Sequence, residues 1–134
     1  MIKVKKKLSQ NPNVIAAYLF GSIAEGYEHK RSDIDIAVLF DETVDKFHQF
    51  DLEVKIGNEL KEMLKHEVQI LVLNKAPFAL AFRAIRGVLI FEKNPVKRAL
   101  FEARVASFYY DQKYFQDFCA RVLHERGKEY ASPR

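Results

Sequence analysis

Four residues between positions 21 and 35 have the types and the spacing needed to bind a metal-bound phosphate. Gly21 and Ser22 end an apolar run, and after ten further residues Asp33 and Asp35 flank Ile34. Side chains alternate across a strand, so the two carboxylates would share one face, roughly 7 Å apart along the backbone. They would repel each other unless a cation lay between them. A Gly-Ser turn that opens a helix would offer backbone N–H groups to an anion.

The combination of these two motifs is more specific than either half. An isolated Asp-x-Asp often begins a strand after a surface loop, but here the aspartates belong to an otherwise apolar strand, where ionised groups need a compensating partner. In nucleotidyl transfer an acceptor oxygen attacks the α-phosphorus of a nucleotide and pyrophosphate leaves. One or two Mg²⁺ ions assist, usually with a third acidic group nearby. We therefore interpret Asp33 and Asp35 as catalytic metal ligands, and Gly21 and Ser22 as nucleotide-binding residues.

The surrounding pattern predicts the elements that must position these residues. Apolar runs predict strands at Val14–Phe20, Ile34–Phe40, Glu67–Leu73 and Val88–Phe91. Helical patterns occupy residues 2–10, 22–27, 45–66, 77–87 and 95–127. This order predicts an α/β or α+β domain around a small sheet, with residues 1–134 as a single domain. The apolar face expected on the 45–66 helix consists of Phe47, Phe50, Val54, Leu60, Met63 and Leu64.

Composition and charge narrow the class of protein. The 134 residues are 49% hydrophobic with a net charge of +4, as in ordinary soluble proteins. Four lysines near the N-terminus fit a solvated helix face better than a nucleic-acid-binding arm, so direct nucleic-acid binding is not expected. The single Cys119 excludes an intrachain disulfide, and the histidines lack the pairing of a zinc site. Without an apolar leader or an apolar run of membrane-spanning length, the sequence predicts a cytoplasmic protein.

The motif Gly21-Ser22-x10-Asp33-x-Asp35 resembles the signature of the minimal nucleotidyltransferase (MNT) family, within the DNA polymerase β-like nucleotidyltransferase superfamily. The likeness extends to residues 71–77 and 87–91 and to the long helix that contains Tyr109, so it covers nearly the whole chain. It implies a nucleotidyltransferase fold with a mixed sheet flanked by helices, and it implies Mg²⁺ and ATP. Many such proteins are antitoxins paired with a HEPN-domain RNase toxin. For these, the resemblance implies transfer of AMP from ATP to a tyrosine of the toxin.

This chain departs from the family pattern at the third carboxylate. Family members commonly carry an aspartate on the strand before the Leu-Asn segment, and Gln69 aligns with it here. An amide cannot carry the charge or accept the proton that this role requires. Glu67 lies two residues earlier on the same face of the strand, roughly 7 Å away. It is either a displaced third acidic residue or an exposed residue at the start of the strand.

A second departure follows the Gly-Ser turn. Many family members have arginines in the next helix, where this chain has Ile23 and Glu25. Lys30 and Arg31 in the following loop are the alternative source of positive charge near a triphosphate.

The long helix at 95–127 leaves two functions open. Its aromatic residues occupy more than one side of the helix. They are either buried in the core or, where they are exposed, form an interface with a partner. With the third carboxylate missing, an alternative function is that of a catalytically weak or inactive antitoxin that neutralises its toxin by binding. Transfer to a small molecule is less favoured, because 134 residues leave no room for a separate substrate domain. The sequence leaves homo- or hetero-oligomerisation open.

Overall fold

The computed structural model describes residues 2–21 and 33–131, with side chains as far as residue 125. The helices are α1 (Ile2–Ser9), α2 (Lys46–Leu64), α3 (Phe78–Ile85) and α4 (Pro95–Ala131). The strands are β1 (Val14–Phe20), β2 (Ile34–Phe40), β3 (Val68–Val72) and β4 (Val88–Glu92), and a 3-10 turn spans Leu73–Lys75. These bounds agree with the sequence predictions to within a few residues. The helical turn predicted at 22–27 lies outside the described residues.

The four strands form one mixed sheet in the order β3-β2-β1-β4. Strand β1 is antiparallel to both of its neighbours, whereas β2 and β3 are parallel. A parallel pair needs a crossover connection, and α2 provides it. The predicted fold class, a small mixed sheet flanked by helices with a long C-terminal helix, is confirmed.

Helices cover both faces of this sheet, with α1 and α2 on one face and α3 and α4 on the other. Because side chains alternate along β2, successive residues of this strand pack against opposite faces. Ile36, Val38 and Phe40 pack with α1 and α2, whereas Ala37 and Leu39 pack with α3 and α4. From Ile36 onward every residue of β2 is buried. Asp35 has the same parity as Ala37, so it lies on the α3/α4 face of the sheet.

Helix α2 packs on the sheet through a different set of residues from the one expected. Its buried residues are Gln49, Leu52, Ile56, Gly57 and Leu60. Phe47, Phe50 and Val54 are exposed, so the predicted apolar face was wrong in its first half. The four-residue spacing from position 52 to position 60 sets the rotation of the helix, which turns the earlier aromatic residues outward.

A network of charged groups fixes the first turns of α4 to the sheet. Arg98 pairs with Glu92 of β4 and donates to Glu102 Oε1 at 2.8 Å. The hydroxyl of the buried Tyr18 donates to the same oxygen at 2.6 Å. Burial and the Glu102 carboxylate raise the pKa of Tyr18 far above its ordinary value. The phenol is therefore neutral and available as a hydrogen-bond donor.

Helix α4 continues well beyond this anchor. Its 37 residues correspond to about 55 Å of helix. Among its residues up to 125, whose side chains the structure describes, Val105 is the last that is fully buried, and those from 110 onward are exposed except for the half-buried Cys119 and Val122. None of the described helices, α4 included, has an apolar stretch long enough to cross a membrane.

Candidate active site

The N-terminal end of β2 brings Asp33 and Asp35 close to Gln69 of the neighbouring strand β3. The register of the parallel pair places Asp35 beside Gln69. The Gln69 amide Nε2 donates to Asp33 Oδ2 at 2.6 Å. The backbone N–H of Ile34 donates to the Glu67 carbonyl at 2.9 Å, which extends the strand pairing back to the level of Asp33. The carboxylate pair expected from the sequence therefore lies beside Gln69, which occupies the position where family members commonly carry the third carboxylate.

The electrostatic environment of Asp35 favours a cation close to its carboxylate. Burial raises the pKa of the half-buried Asp35 carboxyl, and the nearby charge of Asp33 raises it further. Arg83 on α3 acts in the opposite direction. Two carboxylates that repel each other offer the hard oxygen ligands that Mg²⁺ prefers. The residues present therefore fit a divalent metal.

Gly21 follows β1 directly and lies against the Asp35 carboxylate. Its φ of +81° belongs to the left-handed region that favours glycine. A Cβ at this position would collide with Asp35 Oδ2, since Phe20 is paired with Asp35 across the two strands. The close approach of backbone to carboxylate therefore requires glycine. Ser22 lies outside the described residues, as do Ile23, Glu25, Lys30 and Arg31.

Glu67 has a different environment from the aspartates. Its side chain is 73% exposed and pairs with Lys61 of α2, with 3.4 Å between Nζ and Oε2. Within residues 2–21 and 33–131, no three His, Cys, Asp or Glu side chains come together as a metal site. In this part of the chain the arrangement is thus two carboxylates and one amide.

Two arginines that the motif analysis missed lie beside this site. A cleft of about 610 Å³ opens next to Gly21, and its lining includes Arg83, Arg86 and Tyr109. Their signal in the sequence was weak, since it consisted of two cations three residues apart at the end of an otherwise apolar helix. Their distance from the aspartates depends on how α3 crosses the sheet, and this crossing cannot be predicted from a local sequence pattern.

Comparison with known proteins places these observations in a family. Residues 2–96 match the family described as polymerase beta, nucleotidyltransferase. Over 59 residues the chain is 42% identical to the protein adenylyltransferase MntA of Shewanella oneidensis. That segment covers 43% of this chain, and it spans only 42% of the length of that relative.

Solved structures resemble the chain over a greater length. A chain of a toxin–antitoxin crystal structure with AMP-PNP is 27% identical, with a TM-score of 0.67, covering 91% of this chain and 94% of that one. A chain of the MntA–HepT toxin–antitoxin structure is 26% identical, with a TM-score of 0.65 and coverages of 91% and 95%. The family generally uses a nucleoside triphosphate and a divalent metal. The family match extends over most of the length of this chain. The chain therefore belongs to the polymerase beta nucleotidyltransferase family, as its Gly-Ser and Asp-x-Asp motifs predicted.

Proposed function

We propose that this protein is a Mg²⁺-dependent adenylyltransferase that transfers AMP from ATP to a tyrosine hydroxyl of a partner HEPN toxin. It would act in the cytoplasm as the antitoxin of the pair. The observation that carries the proposal is the Asp33–Asp35 pair beside Gly21, in a chain of the nucleotidyltransferase family. The likeness to chains of toxin–antitoxin structures, one of them with AMP-PNP, supports the choice of partner and nucleotide.

Asp33 and Asp35 would hold the metal, as one ion or two. When bound, the metal would neutralise charge on the phosphates and polarise the reacting centre. The residues of the chain have separate tasks. Gln69 holds the Asp33 carboxylate in place through its amide hydrogen. Gly21 lets the backbone approach Asp35 closely enough for a phosphate to lie against both, and Ser22 would add its hydroxyl.

Because position 69 carries an amide, the site has no carboxylate at the place where family members commonly carry a third one. In the described residues the aspartate pair has no third carboxylate beside it. Removal of the proton from the acceptor hydroxyl therefore does not use a carboxylate at position 69. Glu67 remains the alternative third acidic residue, although its ion pair with Lys61 favours a surface role.

The partner would contact the exposed part of α4. Tyr110, Tyr114, Phe115 and Phe118 are between 49% and 71% exposed, which is unusual for aromatic residues unless a partner covers them. We propose that residues 1–134 form a single nucleotidyltransferase domain, and that 95–127 provides the surface for the toxin.

Neutralisation by binding alone is the second candidate function. Gln69 in place of a carboxylate favours this second function, because a protein with a weakened catalytic site would have to inhibit the toxin through binding to the α4 surface. In this case the toxin would be inhibited without being modified.

The test is to incubate the protein with its toxin and labelled ATP, and to compare the wild type with Asp33→Asn plus Asp35→Asn. We expect the double variant to lose AMP transfer by at least about 10³-fold, because it no longer binds the metal that stabilises the transition state. Asp51→Asn, a carboxylate change on α2, is the matched control and should transfer AMP normally.

Toxin binding and toxin activity are measured on the same samples. Equal labelling by the wild type and the double variant would refute the proposed transfer. A double variant that still binds and silences the toxin, together with an unmodified toxin in the wild-type reaction, would establish inhibition by binding.

A further inference from the structure

The Gln69 amide contacts the carboxylate pair at the place where a third metal ligand would have to lie. Its Nε2 donates to Asp33 Oδ2 at 2.6 Å, and the strand register places Gln69 directly beside Asp35. An amide nitrogen carries two hydrogens and offers no lone pair to a metal ion. Gln69 therefore presents the positive end of a dipole to Asp33, which stabilises the carboxylate and repels a further cation.

The charge at this site suffices for one divalent ion. Asp33 and Asp35 supply two negative charges when both are ionised, and the positive charge of Arg83 also acts on Asp35. The two ions of a two-metal site lie about 4 Å apart and carry four positive charges between them. They repel each other strongly at that distance, so they need more carboxylate oxygens than this pair provides.

Glu67 does not supply the missing charge. Its side chain is 73% exposed and pairs with Lys61 of α2, with 3.4 Å between Nζ and Oε2. Although positions 67 and 69 share one face of the strand, they are roughly 7 Å apart along it. Within residues 2–21 and 33–131, no third acidic side chain joins the aspartates in a metal-binding group.

We propose that this site binds a single divalent ion, held by Asp33 and Asp35, and that Gln69 excludes the second ion of a two-metal site. The inference rests on the proposed adenylyl transfer for its nucleotide, whose phosphate oxygens would complete the coordination of the ion. Gln69 is a positioning residue, because it holds Asp33 through a hydrogen bond and sets the number of ions without binding one. The acceptor hydroxyl would then reach the nucleotide without a metal ion on its own oxygen.

The experiment counts bound ions with Mn²⁺, which replaces Mg²⁺ and is visible by electron paramagnetic resonance. Mn²⁺ is titrated into the protein together with a non-hydrolysable ATP analogue, which is kept below the protein concentration. Two Mn²⁺ ions about 4 Å apart couple magnetically, so a pair gives a different spectrum from an isolated ion. We expect the wild type to show one tightly bound, isolated ion per chain as the Mn²⁺ concentration rises.

Two variants at position 69 separate charge from shape. Gln69→Glu keeps the shape of the side chain and adds a negative charge, so it should give the coupled pair and bind the second ion at least about tenfold more tightly than the wild type. Gln69→Ala removes the amide without adding charge, and as the matched control it should keep one ion. Melting curves show whether each variant is folded. If Gln69→Glu unfolds, Gln69→Asp takes its place, with Gln69→Asn as the neutral control.

A coupled pair in the wild type would overturn the inference. So would a single ion in the folded Gln69→Glu variant or a coupled pair in Gln69→Ala, since position 69 would then not set the number of ions through its charge. The outcome also separates from that of the proposed function. A wild type that binds one ion but never modifies its toxin would retain this inference and refute the transferase, whereas a coupled pair in a protein that modifies its toxin would do the reverse.

Discussion

At the scale of single residues, the site depends on one backbone position. Gly21 has a positive φ and lies in contact with the Asp35 carboxylate, whereas Gly57 on α2 faces Ile70 with ordinary space around it. The two glycines therefore have opposite tolerance for a methyl group. One is required by the geometry of the site, and the other costs the helix conformational entropy.

We expect Gly21→Ala to lower the free energy of unfolding by about 1–3 kcal/mol and to abolish Mg²⁺-dependent nucleotide binding. The added Cβ must displace Asp35, and the left-handed backbone disfavours alanine. Denaturant unfolding and an ATP titration measure the two effects. Gly57→Ala is the matched control and should raise stability by about 0.5–1 kcal/mol, because a Cβ there would lie 3.5 Å from Ile70 Cγ1. Normal nucleotide binding by Gly21→Ala would contradict this description of the site.

We expect Gln69→Glu to make the protein more dependent on Mg²⁺. A carboxylate in place of the amide would repel Asp33, so the metal-free variant should lose about 1 kcal/mol of stability. Mg²⁺ would bind the three carboxylates more tightly and reverse the loss. Melting temperatures with and without Mg²⁺ measure both effects, and Gln69→Ala controls for the loss of the hydrogen bond. An equal Mg²⁺ response in the wild type and Gln69→Glu would rule out a place for position 69 beside the metal.

Much of this site follows from local sequence rules, and the rest does not. The alternation of β2 fixes which face carries Asp33 and Asp35, because side chains reverse direction at each residue. The hydrogen bond from Gln69 depends on strand register, and the position of Arg83 depends on how α3 crosses the sheet. Both are set by packing between segments distant in sequence. The pattern of α2 misled for the same reason, since the contacts of Leu52 and Ile56 with the core outweighed the aromatic residues before them.

At the scale of elements, the junction between β2 and α4 is held by an ion pair. Lys97 Nζ donates to Asp41 Oδ2 at 2.8 Å, and Thr43 donates to the other oxygen from its backbone N–H and its hydroxyl. The hydrogen bond from Lys97, followed by those from Thr43, lowers the pKa of Asp41 to about 2, from its ordinary 3.8. The same pairing raises the pKa of Lys97. The carboxylate is therefore the form that stabilises this junction.

A folded-state pKa below the unfolded value means that Asp41 stabilises the fold above about pH 4, and that this stabilisation is lost as the pH falls towards 2. We expect Asp41→Asn to melt at a lower temperature than the wild type at pH 7, and the difference to shrink between pH 4 and pH 2. Melting curves across this range measure the effect. Asp51→Asn should show no such convergence, and a constant difference for Asp41→Asn would exclude ionisation as its cause.

At the scale of the whole molecule, the first part of α4 contacts the protein core, whereas its later part is exposed. Val105 is buried in the core on one face of the sheet, and Phe101 is half-buried against that core. Phe115 and Phe118 are 64% and 49% exposed, so they contribute little to the stability of the isolated chain. The same side chains would form the centre of the proposed toxin interface.

We expect Phe115→Ser plus Phe118→Ser to change the free energy of unfolding by less than about 0.5 kcal/mol, since both rings are exposed. The double variant should weaken toxin binding by at least about tenfold, as for aromatic residues at the centre of an interface. Phe101→Ser is the control and should cost about 2–4 kcal/mol of stability. Unfolding curves and a binding titration with the toxin provide both measurements. Unchanged toxin affinity would show that the partner binds elsewhere.

The length of α4 beyond the core also determines how this protein can change over generations. A substitution at Phe101 or Val105 alters core packing, so selection for a stable fold restricts it whatever partner is present. From 110 to 125 most side chains are exposed, so a substitution there leaves the fold largely intact and is selected mainly through the proposed partner. The proposed toxin-binding surface can therefore diverge in small steps, each one folded, while the carboxylate pair and its glycine stay fixed. Related chains should accordingly keep the same chemistry and differ most in which partner they accept.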